Sequence, residues 1–165
     1  MSHLAFAIIA TVALQRLAEL TIAHRNTTRL KAQGATEIGA GHYPLIVCLH
    51  AAWLAAIALF LPATPRLEPI ALILFGLLQI ARIWVLASLG PYFTTRIITL
   101  PRTPLVRSGP YRFVRHPNYL IVAGEIFLLP LGLGEFSVAL VFSIANALML
   151  FWRIRTEDAA LAGRR

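Results

Sequence analysis

Charge is what this chain has least of. Charged residues make up 13% of it, where a water-soluble domain carries roughly 25%, so an ordinary soluble globule is excluded. Cysteine is nearly lacking as well. The single Cys48 rules out an internal disulfide, and no group of His, Cys and acidic residues stands at metal-ligand spacing. There is no glycine-rich phosphate loop, no G-x-S-x-G elbow, no internal repeat and no low-complexity segment. The start of the chain has no basic stretch and no cleavage site of the kind a signal peptide needs. Its first apolar block is therefore expected to stay as an anchor.

What the chain does have is apolar sequence, 58% of 165 residues, gathered into five blocks at about 4–22, 44–61, 69–89, 118–133 and 136–152. The first block, helical at ~1.5 Å per residue, reaches roughly 28 Å, close to the ~30 Å hydrocarbon core. The expectation is one all-α integral-membrane domain over 1–165 with about five transmembrane helices. The fourth block is shorter and carries Pro130, Gly132 and Gly134, which points to a tilted or kinked helix in a tight hairpin with the fifth. A net charge of +8 in a soluble protein would point to nucleic acid. Here twelve of the fifteen basic residues fall in alternate connections, with Arg66 opposite and Arg16 and Arg82 inside blocks. The bias is a topology signal that places the N-terminus outside and the C-terminus in the cytoplasm. No nucleic-acid partner is expected.

One stretch collects turn formers, aromatics, arginines and a histidine: Ser108-Gly109-Pro110-Tyr111-Arg112-Phe113-Val114-Arg115-His116-Pro117-Asn118-Tyr119. Pro117 suits a first helical turn, which would leave the amides of Asn118, Tyr119 and Leu120 unpaired and facing the loop, an anion-attracting arrangement. The stretch reads either as a cofactor pocket at the membrane surface or as a headgroup anchor with an interfacial aromatic belt. Inside the blocks, Gln15, Arg16 and Glu19 share a helical face, and Arg16 and Glu19 are spaced to pair. Arg82 has no local acid, so Glu125 is its expected partner, and an intramembrane acid is a functional candidate by default. Asn146, Arg153 and Glu157 form a stripe running out of the last block. His42 and His50, with Tyr43 and Trp53 nearby, either line a substrate pocket or pack as core residues.

Taken together, Gly109-Pro110-Tyr111, Arg115-His116-Pro117-Asn118-Tyr119, the hairpin and the acidic pair Glu157-Asp158 resemble the isoprenylcysteine carboxyl methyltransferase family. Arg16-Leu17-Ala18-Glu19-Leu20, Arg25-Asn26, Gly41-His42-Tyr43-Pro44 and Leu49-His50 resemble its small bacterial branch, so the likeness spans nearly the whole chain. The chain departs from the family pattern at Ile121, where a glycine is common, and it lacks the long eukaryotic extension after the acidic pair. Members of the bacterial branch often accompany type III polyketide synthases and O-methylate alkylpyrones or alkylresorcinols.

The resemblance implies a bacterial plasma-membrane enzyme that uses S-adenosyl-L-methionine, with a catalytic core over about 90–165 and a cofactor pocket on the cytoplasmic side. It also implies a lipophilic acceptor arriving from the bilayer, with either a hydroxyl or a carboxylate to methylate. The cofactor residues expected are Tyr111, Arg115, His116, Pro117, Asn118, Tyr119, Leu120, Glu157 and Asp158. Glu157 and Asp158 suit its amino group, while the Asn118 to Leu120 amides, Arg115 or Arg153 suit its carboxylate. Tyr119 or Trp152 suits the sulfonium. On the acceptor side the expected catalytic residues are His50, His42, Glu125 and Arg153, with His50 or His42 as the base for a hydroxyl. His116-Pro117-Asn118-Tyr119 followed by Gly124-Glu125 also resembles membrane sterol and steroid reductases, so an NADPH-dependent reductase is the alternative, and a non-enzymatic membrane scaffold a third.

Overall fold

The computed structural model describes residues 2–101 and 103–161. Arg102, Arg164 and Arg165, which contribute to the charge bias, lie outside the described residues. Five helices carry the fold: α1 (Ser2–Ala32), α2 (Tyr43–Phe60), α3 (Pro69–Leu89), α4 (Pro117–Gly132) and α5 (Phe136–Leu161). Prolines at the starts of α2, α3 and α4 occupy first-turn positions whose N–H would have had no helical partner. Among the described residues four of the helices are long and apolar enough to cross a membrane, and α4 is a shorter apolar helix of 16 residues. The protein is thus an all-α integral-membrane protein in its spans.

Two boundaries differ from the hydropathy reading. The first helix continues past residue 22 to Ala32, because no helix breaker comes before Gly34, so its polar end projects beyond the apolar stretch. Between the helices there is also a small ribbon. Strand β1 (Thr36–Ile38) pairs antiparallel with β2 (Ile97–Thr99), Thr36 opposite Thr99. It joins the α1–α2 connection to the long α3–α4 connection, so both lie at the same end of the bundle. Asn26 Nδ2 adds a second tie from α1, donating to the carbonyls of Gly90 and Phe93 at 3.2 and 2.9 Å.

At the opposite end α4 meets the start of α3, where the Glu68 amide donates to the Gly132 carbonyl at 2.9 Å. Gly134 makes the turn into α5 with φ 84°, and a Cβ there would come within 2.8 Å of the Arg66 carbonyl. Only glycine accepts both conditions. The core among the helices is built from Ala5, Ile9, Trp53, Ile57, Phe75, Ile126 and Leu129. Pro130 has no N–H for the Ile126 carbonyl four residues earlier. The Trp53 indole supplies one instead, at 3.2 Å, and so fastens α2 to α4 in the core.

Candidate functional site

A cavity of about 960 Å³ runs from the ribbon end of the bundle into its middle. Its outer part is lined by residues 92–98 and 103–107 and by Tyr111 and Arg112 of the Gly109–Arg112 turn. That turn sits close over α3: Gly109 has φ 57°, and a Cβ would come within 2.0 Å of Ser88 Oγ and 3.2 Å of Trp84 Nε1.

Three residues from two helices form the polar centre of the outer part. Arg153 Nε donates to the Tyr119 hydroxyl at 2.7 Å, and the Tyr119 hydroxyl in turn donates to Glu157 Oε2. The other arm of Arg153 reaches the Thr95 carbonyl at 2.7 Å, binding the α3–α4 connection to the same centre. The His116 ring stacks on Tyr119, centroids 5.3 Å apart. Its Nε2 lies 3.2 Å from Asp158 and its Nδ1 3.8 Å from Glu157 Oε1. Tyr111 also lines this part, and burial together with the Glu157 charge pushes its phenol well above the usual tyrosine range. Asn118 lines it too, with its Oδ1 buried and without a partner among the described residues.

A second cluster lies deeper. Glu125, 2% exposed, accepts from Arg82 through Nε (2.8 Å) and Nη2, from Arg16 (2.9 Å) and from Gln79 (2.7 Å). Glu19 accepts from Arg16 (2.7 Å), Arg82 (2.9 Å) and Gln15 (3.0 Å). Two arginines and two glutamates therefore join α1, α3 and α4, and Arg16, Glu19 and Arg82 face the cavity. His50 lies in the same deep wall with Nδ1 2.9 Å from the Ile46 carbonyl. In that bond Nδ1–H is the donor, which leaves Nε2 as an acceptor.

The expected site residues divide accordingly. Tyr111, Arg115, His116, Asn118, Tyr119, Arg153 and Glu157 come together in the outer part, and His50 lines the deep part. Asp158 joins through His116. Leu120 points away, 62% exposed, and Pro117 is buried as the first residue of α4. The Tyr119 and Leu120 amides are not free: both donate to the His116 carbonyl, at 3.1 and 3.4 Å. The expected anion site of three amides is thus reduced to that of Asn118, because His116 caps its own helix through the backbone.

His42 is 4% exposed, packs against Trp152 with centroids 5.3 Å apart, and is not among the residues lining the cavity. Trp152, 49% exposed, is not a lining residue either, so it offers no face to a cofactor there. Glu125 is saturated by four donors and stands behind the wall, a placement suited to holding arginines in position. Thr95 and Arg96 line the cavity without having been proposed as site residues from the sequence, and Tyr43, noted there only beside the histidines, lines it as well. Tyr43 bonds Thr95 Oγ1 at 3.1 Å, and the Arg96 guanidinium lies 3.9 Å over the Tyr43 ring. Arg96 is held in turn by Glu37 of β1, which also takes Lys31 at 2.6 Å. Burial alone would push the Glu37 carboxyl up, but hydrogen bonds and charge from Lys31 and Arg96 outweigh it and hold the group below the usual range.

Among known proteins, the Bacillus subtilis protein YpbQ is 42% identical over 160 residues, covering 93% of this chain and 94% of its own. A Haemophilus influenzae protein is 29% identical over 168 residues, covering 97% of this chain and 94% of its own. Both relatives carry the name uncharacterized protein, and no solved structure matches. Residues 70–163, which contain α4, α5 and the whole outer cluster, match the family model of the isoprenylcysteine carboxyl methyltransferases. The chain belongs to that family of membrane methyltransferases.

Proposed function

We propose that the protein is an S-adenosyl-L-methionine-dependent O-methyltransferase whose acceptor is a lipid-tailed molecule reaching the site from the bilayer. The observation that carries the reading is the continuity of the cavity. One space joins a cluster of both charge signs, Tyr119–Arg153–Glu157, to a deep wall that carries His50 and apolar side chains from α1 and α2. At about 960 Å³ it lies at the top of the range of ligand pockets, ~300–1,000 Å³, which leaves room for two ligands. Leu17 lines it and is also 61% exposed on α1, so the apolar side of the cavity reaches the lipid-facing surface.

The residues present fit the cofactor. Its amino-acid head is zwitterionic, and the outer part offers Glu157 together with Arg153, both bonded to the Tyr119 hydroxyl, and Arg115 elsewhere in the lining, while the buried Asn118 Oδ1 lacks a partner among the described residues that a ligand N–H would provide. The stacked His116 and Tyr119 rings present an aromatic surface beside the same carboxylate. When bound, the cofactor supplies an electrophilic methyl group on a sulfonium. The work left to the protein is to hold both partners in line and exclude water. His50 Nε2 is available to take a proton from a hydroxyl acceptor. The charge bias of the connections supports a cytoplasmic position for the outer cluster.

Titration calorimetry on the purified protein with S-adenosylhomocysteine and with NADPH tests the reading. The expected result is saturable binding of the former alone. Binding of NADPH alone would establish the reductase, and binding of neither would remove the enzymatic reading.

A further inference from the structure

Thr95 is gripped from two sides. Its hydroxyl meets the Tyr43 hydroxyl of α2 at 3.1 Å, and its carbonyl accepts Arg153 Nη2 of α5 at 2.7 Å. The next residue, Arg96, lies with its guanidinium 3.9 Å over the Tyr43 ring. Tyr43, Thr95, Arg96 and Arg153 all line the cavity. Glu37 does not. Its carboxylate stands behind the wall on β1, its side chain 11% exposed, and joins Arg96 to Lys31. An unbroken run of contacts therefore leads from Glu37 through Arg96, Tyr43 and Thr95 to Arg153, and on through the Tyr119 hydroxyl to Glu157. The β1–β2 pairing itself has three residues per strand, and so short a two-stranded ribbon has little stability of its own. Side chains have to hold the segment in place.

We infer that Glu37 is a positioning residue for the cofactor side of the cavity. Through Arg96 and Tyr43 it keeps the Thr95 carbonyl on Arg153, and so keeps Arg153 aimed at the Tyr119 hydroxyl. Charge is the reason an acid is needed. A guanidinium rests on an aromatic face by electrostatic attraction to the ring, which leaves its positive charge unmatched. Glu37 matches it from the far side with a charge-assisted hydrogen bond. Among the described residues the acids that line the cavity are Glu19, already taken by Gln15, Arg16 and Arg82, and Glu157. Without Glu37, Arg96 is drawn off the Tyr43 ring, and Glu157 is the cavity acid left to attract it. The Tyr43–Thr95 bond then loses its support, and Glu157 is less available to a ligand. Glu37 and Tyr43 both lie before residue 70, where the match to the family model begins. The relay thus makes the site on α4 and α5 depend on the first third of the chain. The inference rests on the methyltransferase reading above.

The test compares the full-length parent with Glu37→Gln, Arg96→Leu, the double variant and Lys31→Gln, each titrated calorimetrically with S-adenosylhomocysteine. Glu37→Gln keeps the size of the side chain and removes its charge. It should weaken binding roughly fivefold or more, the lower end of couplings between separate sites. Arg96→Leu should weaken it as well. The double variant should bind within about twofold of whichever single variant binds less tightly, because Glu37 has nothing left to act through. Lys31→Gln removes only the more exposed partner of Glu37, 45% exposed, and exposed pairs contribute little, so it should stay within about twofold of the parent. Amide hydrogen exchange is a second readout that needs no ligand. Residues 92–98 should exchange faster in Glu37→Gln and at the parent's rate in Lys31→Gln. Parent affinity in Glu37→Gln, losses that multiply in the double variant, or equal losses in Lys31→Gln and Glu37→Gln would overturn the inference. If Glu37→Gln does not fold, Tyr43→Phe probes the same relay by removing only the hydroxyl on Thr95, and parent affinity with parent exchange in that variant would overturn it. Failure of S-adenosylhomocysteine to bind the parent would instead overturn the methyltransferase reading, with the exchange comparison still deciding the relay.

Discussion

Arg153 Nε donates to the Tyr119 hydroxyl across 2.7 Å, and that bond ties the first turn of α4 to α5 inside the cavity. Because Arg153 also holds the Thr95 carbonyl, it fixes the closing segment to the same point. Its planar fork serves two partners at once, which a lysine ammonium on a flexible stem does not reproduce. Arg153→Lys is expected to weaken S-adenosylhomocysteine binding by roughly ten- to a hundredfold, the worth of a charge-assisted hydrogen bond at ~1.5–3 kcal/mol. Tyr119→Phe should have a smaller effect in the same direction. Calorimetry checks both, and affinities equal to the parent in both variants would detach this centre from the cofactor.

The deep cluster should behave as a unit of stability. Glu125→Leu removes one of two acids that balance Arg16 and Arg82, and breaking a buried ion pair by removing one partner costs about 3–5 kcal/mol. Arg82→Leu should cost a similar amount. The double variant Arg82→Leu with Glu125→Leu leaves Arg16 and Glu19 paired with each other and should be more stable than either single variant. Thermal unfolding in detergent measures the coupling. Additive losses would mean the pair is not a unit.

Much of this arrangement is legible in the sequence, and the limits have physical reasons. Hydropathy blocks locate the helices because a span must be continuously apolar. Arg82 finds Glu125 because an unpaired arginine in that setting is so costly that a distant acid is its only remedy. The stripe Asn146, Arg153 and Glu157 emerges because helical period alone puts these residues on one face, and all three line the cavity. The ribbon was not legible. Each strand has three residues, too short to show alternation, and Thr36 pairs with Thr99 across more than sixty residues. Arg96 and Thr95 reach the site only through that pairing. Eight residues separate His42 from His50, a turn of about 80° around a helix, whereas seven separate Tyr43 from His50 and return to within about 20°. Tyr43 therefore shares the cavity with His50, and His42 turns to Trp152.

The membrane orientation gives a direct test. The ribbon ties the α1–α2 and α3–α4 connections to one end of the bundle, where Lys31, Arg96, Arg112 and Arg115 lie. On the positive-inside rule that end is expected to face the cytoplasm. A fluorescent protein that matures only in the cytoplasm, fused after residue 165, should be bright, and an alkaline phosphatase fused there should be inactive. The reverse pattern would invert the molecule and move the outer cluster to the far side.

The last expectation concerns Glu135, in the turn between α4 and α5 at the end remote from the ribbon. It is 6% exposed, and neither carboxylate oxygen has a partner among the described residues. Burial pushes its carboxyl from 4.5 up to about 7. A group whose folded value is raised binds protons more tightly in the folded state. Its contribution is complete below the unfolded value and is lost as pH rises through the folded one. Stability should therefore fall between pH 4.5 and about 7 and level off above. The ceiling on the loss is about 3 kcal/mol, taking ~1.4 kcal/mol per pKa unit. Glu37 acts with the opposite sign, since its value is held low, and it loses its contribution only as pH falls below the ordinary carboxylate range. Comparing the parent with Glu135→Gln cancels Glu37 and every other group the two share. The variant should match the parent near pH 4, exceed it in thermal midpoint at about pH 8, and show a flatter profile between. Parallel profiles across that window would mean that Glu135 is ionised in the folded protein, its charge met by water.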